Sequence, residues 1–346
     1  VIQDDVIQDD VIQDDVIQDD VIQGDVIQGD VIQGEFINGR LCININIQIK
    51  NSTSSNRCFT AVDFGSQMPL QLMTYTCCNS RTYDDKFKTT ISLSHNCPSC
   101  DNVECLPFNK QNSSKTDFRK GIICPSIKFD SATLKVGNKD INLQNQQNEL
   151  TNVYFVQDSN AAVPVHTGFT YNSPFLTTLL TSFSTTSITL DISKAQLRFN
   201  DIVDNRFSIN WYQANHHAGR SIKITNINGT ELEHHQKFLI DTGNDSFLTY
   251  DSTLIDIFKN DDISKELSFE IENKIKITFP ANIRHNTTIS PPILNKHDTM
   301  LDESYPYSHN VLALGFLSNF ILNFNDSTRL IKIVSVNPNI IIENIN

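Results

Sequence analysis

Apolar and polar residues alternate strictly over residues 41–49 (L-C-I-N-I-N-I-Q-I), which predicts a strand with one buried face. A polar turn at 51–56 follows, and 57–63 returns as the second arm of a hairpin. Similar short runs predict strands at 127–136, 153–157, 187–192, 206–211, 221–227 and 230–240. Residues 267–279 alternate as further strands, and the chain ends with 311–324 and 330–336. One short helix is predicted at 254–258. β-branched and aromatic residues dominate while helical periodicity is scarce, so the expected class is all-β with a few short helices. Trp211, the one tryptophan, falls in a predicted strand and is expected in the core.

Two stretches depart from this pattern. Residues 1–35 are seven units of five: Val-Ile-Gln-Asp-Asp four times, Val-Ile-Gln-Gly-Asp twice, then Val-Ile-Gln-Gly-Glu. Such exact repetition invites a solenoid, but a period of five suits neither regular element. On a helix it carries the Val-Ile pair steadily around the axis, and on a strand it flips the pair to the other face at each unit. The segment therefore reads as a flexible acidic tail. Residues 77–124 have little periodicity and hold most of the cysteines.

Charge sharpens the division. The formal net charge is −13, of which ten Asp and Glu35 place −11 in residues 1–35, leaving −2 for the rest. The body of the chain is thus near neutral, without the basic surplus that nucleic acid or an anionic membrane calls for. No apolar run is long enough to cross a bilayer. All eight cysteines lie between Cys42 and Cys124, which suggests a disulfide framework and an oxidising compartment. Cys97-Pro-Ser-Cys100 also has zinc spacing, but no second such pair follows. Acceptor triplets for N-glycosylation begin at Asn51, Asn112, Asn228, Asn286 and Asn325, in keeping with secretion. Another begins at Asn244, where a glycan would block any site nearby.

The candidate chemistry sits at two strand ends. In Lys237-Phe-Leu-Ile-Asp241-Thr242-Gly243-Asn244, three apolar residues run into an aspartate followed by a glycine turn. A carboxylate at the end of a buried strand is costly unless it is hydrogen-bonded or has a task. About 180 residues earlier, Cys58-Phe-Thr-Ala-Val-Asp63-Phe64-Gly65-Ser66 repeats the arrangement. Two such turns suggest facing carboxylates that share one proton, one serving as general base toward water and the other as general acid. Asp63-Phe64-Gly65 also spells the metal-binding triplet of protein kinases, but no Gly-rich loop or His-Arg-Asp loop accompanies it. His216-His217 and His234-His235 are read as surface residues, since neighbours on a strand point to opposite faces. No metal site or cofactor is expected.

With these motifs in view, residues 40–340 resemble the pepsin-like aspartic proteases. Residues 41–49 with 59–66 resemble that family's opening strands and first Asp-Thr/Ser-Gly-Ser, and 237–248 its second Asp-Thr-Gly. Residues 311–324 are similar to its late Leu-Gly-x-x-Phe-Leu strand pair, and 163–180, with His166-Thr-Gly168-Phe and Ser173, match weakly the segment closing the first lobe. Cysteine crowding after the first aspartate is similar to the insertion of the plant-type branch. The resemblance implies a bilobal fold with a central interlobe sheet. The expected units are an acidic repeat segment (1–35), a cysteine-rich N-terminal lobe (36–190) and a C-terminal lobe (191–346).

It further implies an endopeptidase with Asp63 and Asp241 as the dyad and Gly65 and Gly243 shaping the turns. Ser66 would bond the outer oxygen of Asp63, and Asn244 would sit in the matching place beside Asp241. Thr242 would reach across to the other lobe. Peptides or proteins would be the substrates of a monomer that is secreted or held in a lysosome- or vacuole-like compartment. Two departures stand out: Phe64 lacks the hydroxyl of the family's threonine, and no Tyr-Gly-Ser flap signature appears, Phe108 being the nearest stand-in. They leave room for a second expectation, a catalytically silent relative that keeps the cleft to bind peptides or glycans.

Overall fold

The computed structural model describes residues 30–37, 39–49, 55–68, 70–74, 115–118, 122–128, 132–142, 152–155, 166–200, 203, 206–214, 219–244, 249, 251–262, 264–282 and 310–345. Phe108, Asn51, Asn112, Asn286, His216, His217 and the cysteines from Cys77 to Cys105 lie outside them.

The first strands are β1 (Asp30–Ile37), β2 (Arg40–Ile49), β3 (Ser55–Asp63), β4 (Gln71–Thr74), β5 (Lys115–Phe118), β6 (Ile122–Lys128), β7 (Ala132–Val136), β8 (Lys139–Asn142), β9 (Asn152–Phe155) and β10 (His166–Gly168). Helix α1 (Pro174–Ser182) precedes β11 (Ser187–Asp191), β12 (Gln196–Phe199), β13 (Ser208–Asn210), β14 (Tyr212–Gln213), β15 (Arg220–Ile227) and β16 (Thr230–Ile240). Then come α2 (Ser252–Lys259), β17 (Leu267–Ile271), β18 (Ile275–Phe279) and β19 (Asn310–Leu312). Helix α3 (Leu314–Leu317), β20 (Phe320–Asn325), β21 (Leu330–Ser335) and β22 (Ile341–Asn344) are the last elements of the described residues. The protein is mostly β-sheet, as the alternating pattern predicts.

The strands form two sheets. One runs β13-β21-β20-β11-β12-β1-β2-β3-β4-β9-β6-β5, with β10 on β3 and the β7–β8 hairpin on β2. The other runs β19-β16-β15-β17-β18-β22, with β14 on β15. One local arrangement occurs twice. Antiparallel hairpins β2–β3 and β15–β16 each end in an Asp-x-Gly loop. Their second strands each pair in parallel with a later strand, β10 or β19, and a helix follows, α1 or α3. A parallel neighbour on one side and an antiparallel one on the other pair both edges of β3 and β16 near their ends, so these are interior strands. Ala61, Val62, Phe238, Leu239 and Ile240 are buried; Val62, Phe238 and Ile240 join the main core cluster that spans both sheets, and Leu239 a smaller one with Ala214, Val311 and Ala313.

Four elements differ from the sequence pattern. The last repeat unit is no tail: Val31–Glu35 lies within β1, and Ile32 is buried against the core. The folded body therefore begins before residue 36, because β1 has partners, β12 and β2, that no local periodicity reveals. The run 127–136 is two strands in different parts of the sheet, β6 beside β9 and β7 beside β2. Within 311–324, Leu314–Leu317 is a buried helical turn between strands, a case where a continuous apolar run cannot distinguish helix from strand. Helix α1 was not expected from the pattern, although Pro174 opens it and Phe175, Leu176, Thr178 and Leu179 form its buried stripe.

Cys42 is a free thiol, buried in β2, and burial pushes it up to about 12. Burial alone does the same to Cys58, so neither side chain is a reactive thiolate.

Candidate active site

Asp63 closes β3, and Asp241 directly follows β16. Each is held by the parallel neighbour: Phe169 N–H donates to the Asp63 carbonyl at 2.6 Å, and Asp241 N–H donates to Leu312 carbonyl at 3.0 Å. Both side chains are nearly removed from solvent, at 6% and 8% exposure. The two loops return to their own carboxylates in the same way. Gly65 N–H donates to Asp63 Oδ1 at 2.9 Å, and Gly243 N–H donates to Asp241 Oδ1 at 2.7 Å.

The loops also interpenetrate. A Cβ on Gly65 would lie 2.3 Å from Asp241 Cγ, and one on Gly243 would lie 2.6 Å from Asp63 Oδ2. Each glycine is thus required by the other loop's carboxylate, a stronger demand than turn geometry alone. Thr242 links the loops through its hydroxyl, which donates to Val62 carbonyl and accepts Phe64 N–H at 3.1 Å. All three groups are buried, and the single hydroxyl satisfies one donor and one acceptor.

Burial comes first among the causes that push the Asp241 carboxyl up, to about 8; the facing Asp63 charge and a hydrogen bond with Asp63 add to it. The donors Gly243 N–H and Asn244 Nδ2 oppose the rise without cancelling it. Burial and the facing carboxylate thus both favour the protonated form of Asp241.

Sequence reasoning assigned the outer oxygen of Asp63 to Ser66. Instead Ser66 Oγ accepts Met68 N–H at 3.0 Å, a turn within its own loop. The outer oxygen, Oδ2, is met by His166 Nδ1 at 3.0 Å. His166 begins β10 opposite Ala61, two positions before the register partner of Asp63. Its Nε2 is buried and has no partner among the described residues. Asn244 takes its expected place, its amide donating to Asp241 Oδ2. That nitrogen is committed to the carboxylate, so the glycosylation reading of Asn244 conflicts with the site.

Phe64 departs from a hydroxyl residue in function as well as in name. Its ring is wholly buried, 5.0 Å from Phe324 and 5.8 Å from Phe169. The guanidinium of Arg220 lies over it at 5.7 Å. Arg220, fully buried, donates to Asp326 through Nε at 2.8 Å and through a second nitrogen at 2.6 Å. Its remaining terminal nitrogen donates to Phe169 carbonyl at 2.7 Å. The path from Asp63 to Phe169 to Arg220 to Asp326 ties β15 of the smaller sheet to the larger one directly beneath the first loop. A fork geometry with every contact satisfied is what makes a buried guanidinium tolerable. His166 was marked in the sequence only as part of the segment closing the first lobe, and Arg220 was not marked at all; only register brings the one to Asp63 and the other beneath its loop. Among known proteins, no family model matches this chain and no curated protein matches it in sequence.

Proposed function

We propose that the chain is an aspartic endopeptidase of the bilobal, pepsin-like kind, hydrolysing peptide bonds with a water activated between Asp63 and Asp241. The observation that carries this reading is the interlocking of the two Asp-x-Gly loops, each glycine lying where a side chain would strike the opposite carboxylate. The recurrence of hairpin, aspartate, parallel strand and helix supports two lobes dividing near residue 190, joined through β1, β12, β11 and β20.

In this mechanism Asp241 carries the shared proton and Asp63 the charge. Asp63 removes a proton from the water as its oxygen attacks the peptide carbonyl carbon, while Asp241 gives its proton to the carbonyl oxygen. The tetrahedral diol then collapses: a proton passes to the leaving nitrogen, the C–N bond breaks, and the pair again holds one proton. Peptides or unfolded proteins are the substrates, with a secreted or lysosome-like setting as the fitting compartment.

A second reading, a silent peptide- or glycan-binding relative, is favoured by Phe64, which leaves Thr242 as the one threonine brace between the loops. Digestion of a denatured protein between about pH 3 and 8, with Asp241→Asn as control, separates the two. Cleavage that the substitution abolishes supports the enzyme. No cleavage at any pH, by a folded preparation, leaves the binding protein.

A further inference from the structure

The slot that holds β1 reads three side-chain features of the unit Val31-Ile32-Gln33-Gly34. Ile32 is buried in the core. Gln33 Nε2 donates to Lys194 carbonyl at 3.0 Å, and its Oε1 accepts Gln196 Nε2 at 2.9 Å. Gly34 donates its N–H to Ala195 carbonyl at 2.7 Å, and a Cβ there would lie 2.5 Å from Cys42 carbonyl and 3.0 Å from Ala195 carbonyl. Both are backbone atoms, one in β2 and one in the turn that leads into β12, so they cannot give way as a flexible side chain would. The residue ahead of the unit is read as well, since Asp30 Oδ1 accepts Asn138 Nδ2 at 3.2 Å.

All of these features recur upstream. Residues 26–32 read V-I-Q-G-D-V-I and residues 21–27 read the same, against V-I-Q-G-E-F-I at 31–37. Each is also preceded by an aspartate, Asp25 or Asp20. The two differing positions, Glu35 and Phe36, are exposed, so a shorter acid or a valine there meets no packing constraint. The four earlier units carry Asp at the glycine position and would set a side chain against Cys42 and Ala195 carbonyls.

We propose that the slot between β12 and β2 is a binding site for an extended Val-Ile-Gln-Gly segment, and that the units at 21–25 and 26–30 of the same chain are spare occupants. Sliding the chain by five residues preserves the strand's face relation to its partners because the whole unit, and not one residue, is exchanged. The displaced residues lengthen the β1–β2 turn at Gly39, and loop closure cost grows only slowly with length. The N-terminal strand is therefore degenerate in register over three units and blocked at the fourth.

The test uses full-length chains and thermal melting. In Gly34→Asp the chain slides, Gly29 enters the slot, and the Tm stays within a few degrees of the parent. In the triple variant Gly24→Asp/Gly29→Asp/Gly34→Asp no fitting unit remains, and the Tm falls by more than about 5 °C. The double variant Gly24→Asp/Gly29→Asp keeps the parent Tm. A single variant that melts as low as the triple one overturns the proposal, as does a triple variant that melts with the parent. Rescue in the single variant that depends on protein concentration, with dimers in size-exclusion chromatography, also overturns it, since the occupant is then a second copy.

Discussion

Phe64 is where residue chemistry and packing give opposite expectations. By motif, Phe64→Thr restores a bracing hydroxyl and should raise activity. By packing, the ring sits between Phe169 and Phe324 beneath Arg220, and its loss opens a cavity under the first aspartate. Truncating a buried phenylalanine costs about 3–5 kcal/mol at the alanine limit. Phe64→Thr is therefore expected to lower the denaturation midpoint and not to raise kcat; a more active, equally stable variant would contradict this account. His166→Leu removes the partner of Asp63 Oδ2. A hydrogen bond to a charged group contributes about 1.5–3 kcal/mol, so the Tm should fall measurably, and kcat/KM should fall roughly 10- to 150-fold if the same bond is needed in the transition state.

Asp241 gives a signed pH dependence. Its carboxyl is raised in the fold, from 3.8 to about 8, so its stabilising protonated form is complete below pH 3.8 and lost as pH rises through about 8. Asp241→Asn is neutral throughout. Its Tm relative to the parent should therefore rise steadily between those limits, and a flat difference would mean the carboxyl is not raised.

At the scale of elements, the loops matter more than the strands that carry them. Gly243→Ala would place a methyl 2.6 Å from Asp63 Oδ2, with the Asp63 carboxyl carbon at 2.8 Å. The loops must part, and a displacement near 1 Å can cost about a hundredfold in rate. The overpacking should lower the Tm by a few degrees while kcat drops by at least that factor, as measured by peptide cleavage of the folded variant. An unaffected kcat would show that the carboxylates do not need this proximity. Hairpin β2–β3 was legible from alternation and its polar turn, and β15 and β16 as separate strands, because one buried face imposes a period of two. Strand β1 was not, because its pairing with β12 joins residues more than 160 positions apart. The turn α3 and the two-residue strand β14 were equally hidden, being too short for periodicity to register, whereas β13 falls inside the strand predicted at 206–211.

Across the whole molecule, Arg220 and Thr242 tie the two sheets together under the carboxylates. Arg220→Met would leave Asp326 without its counterion and Phe169 carbonyl without its donor. Breaking a buried pair by removing one partner costs about 3–5 kcal/mol, read as a lower midpoint in denaturant. The pH profile of cleavage belongs to this scale as well, since both sheets build the site. With the raised carboxyl retaining its proton toward pH 8, the descending limb of kcat/KM should lie near neutrality or above it. A limb confined to strong acid would argue that the pair is less buried in solution than in this fold.

By itself the sequence determined the all-β class, the first hairpin and the two Asp-x-Gly turns, because alternation and glycine punctuation are local consequences of backbone geometry and one-sided burial. It also marked Asp63 and Asp241, since a carboxylate ending an apolar strand is conspicuous in one dimension. Only the tertiary structure decided what surrounds them. Register set His166, not Ser66, on Asp63; packing placed the Phe64 ring beneath a buried arginine; and the glycines became sites of mutual access as well as turns. The repeat shows the same division: seven near-identical units are equivalent along the chain, and a backbone contact at one glycine determines which of them the fold can use.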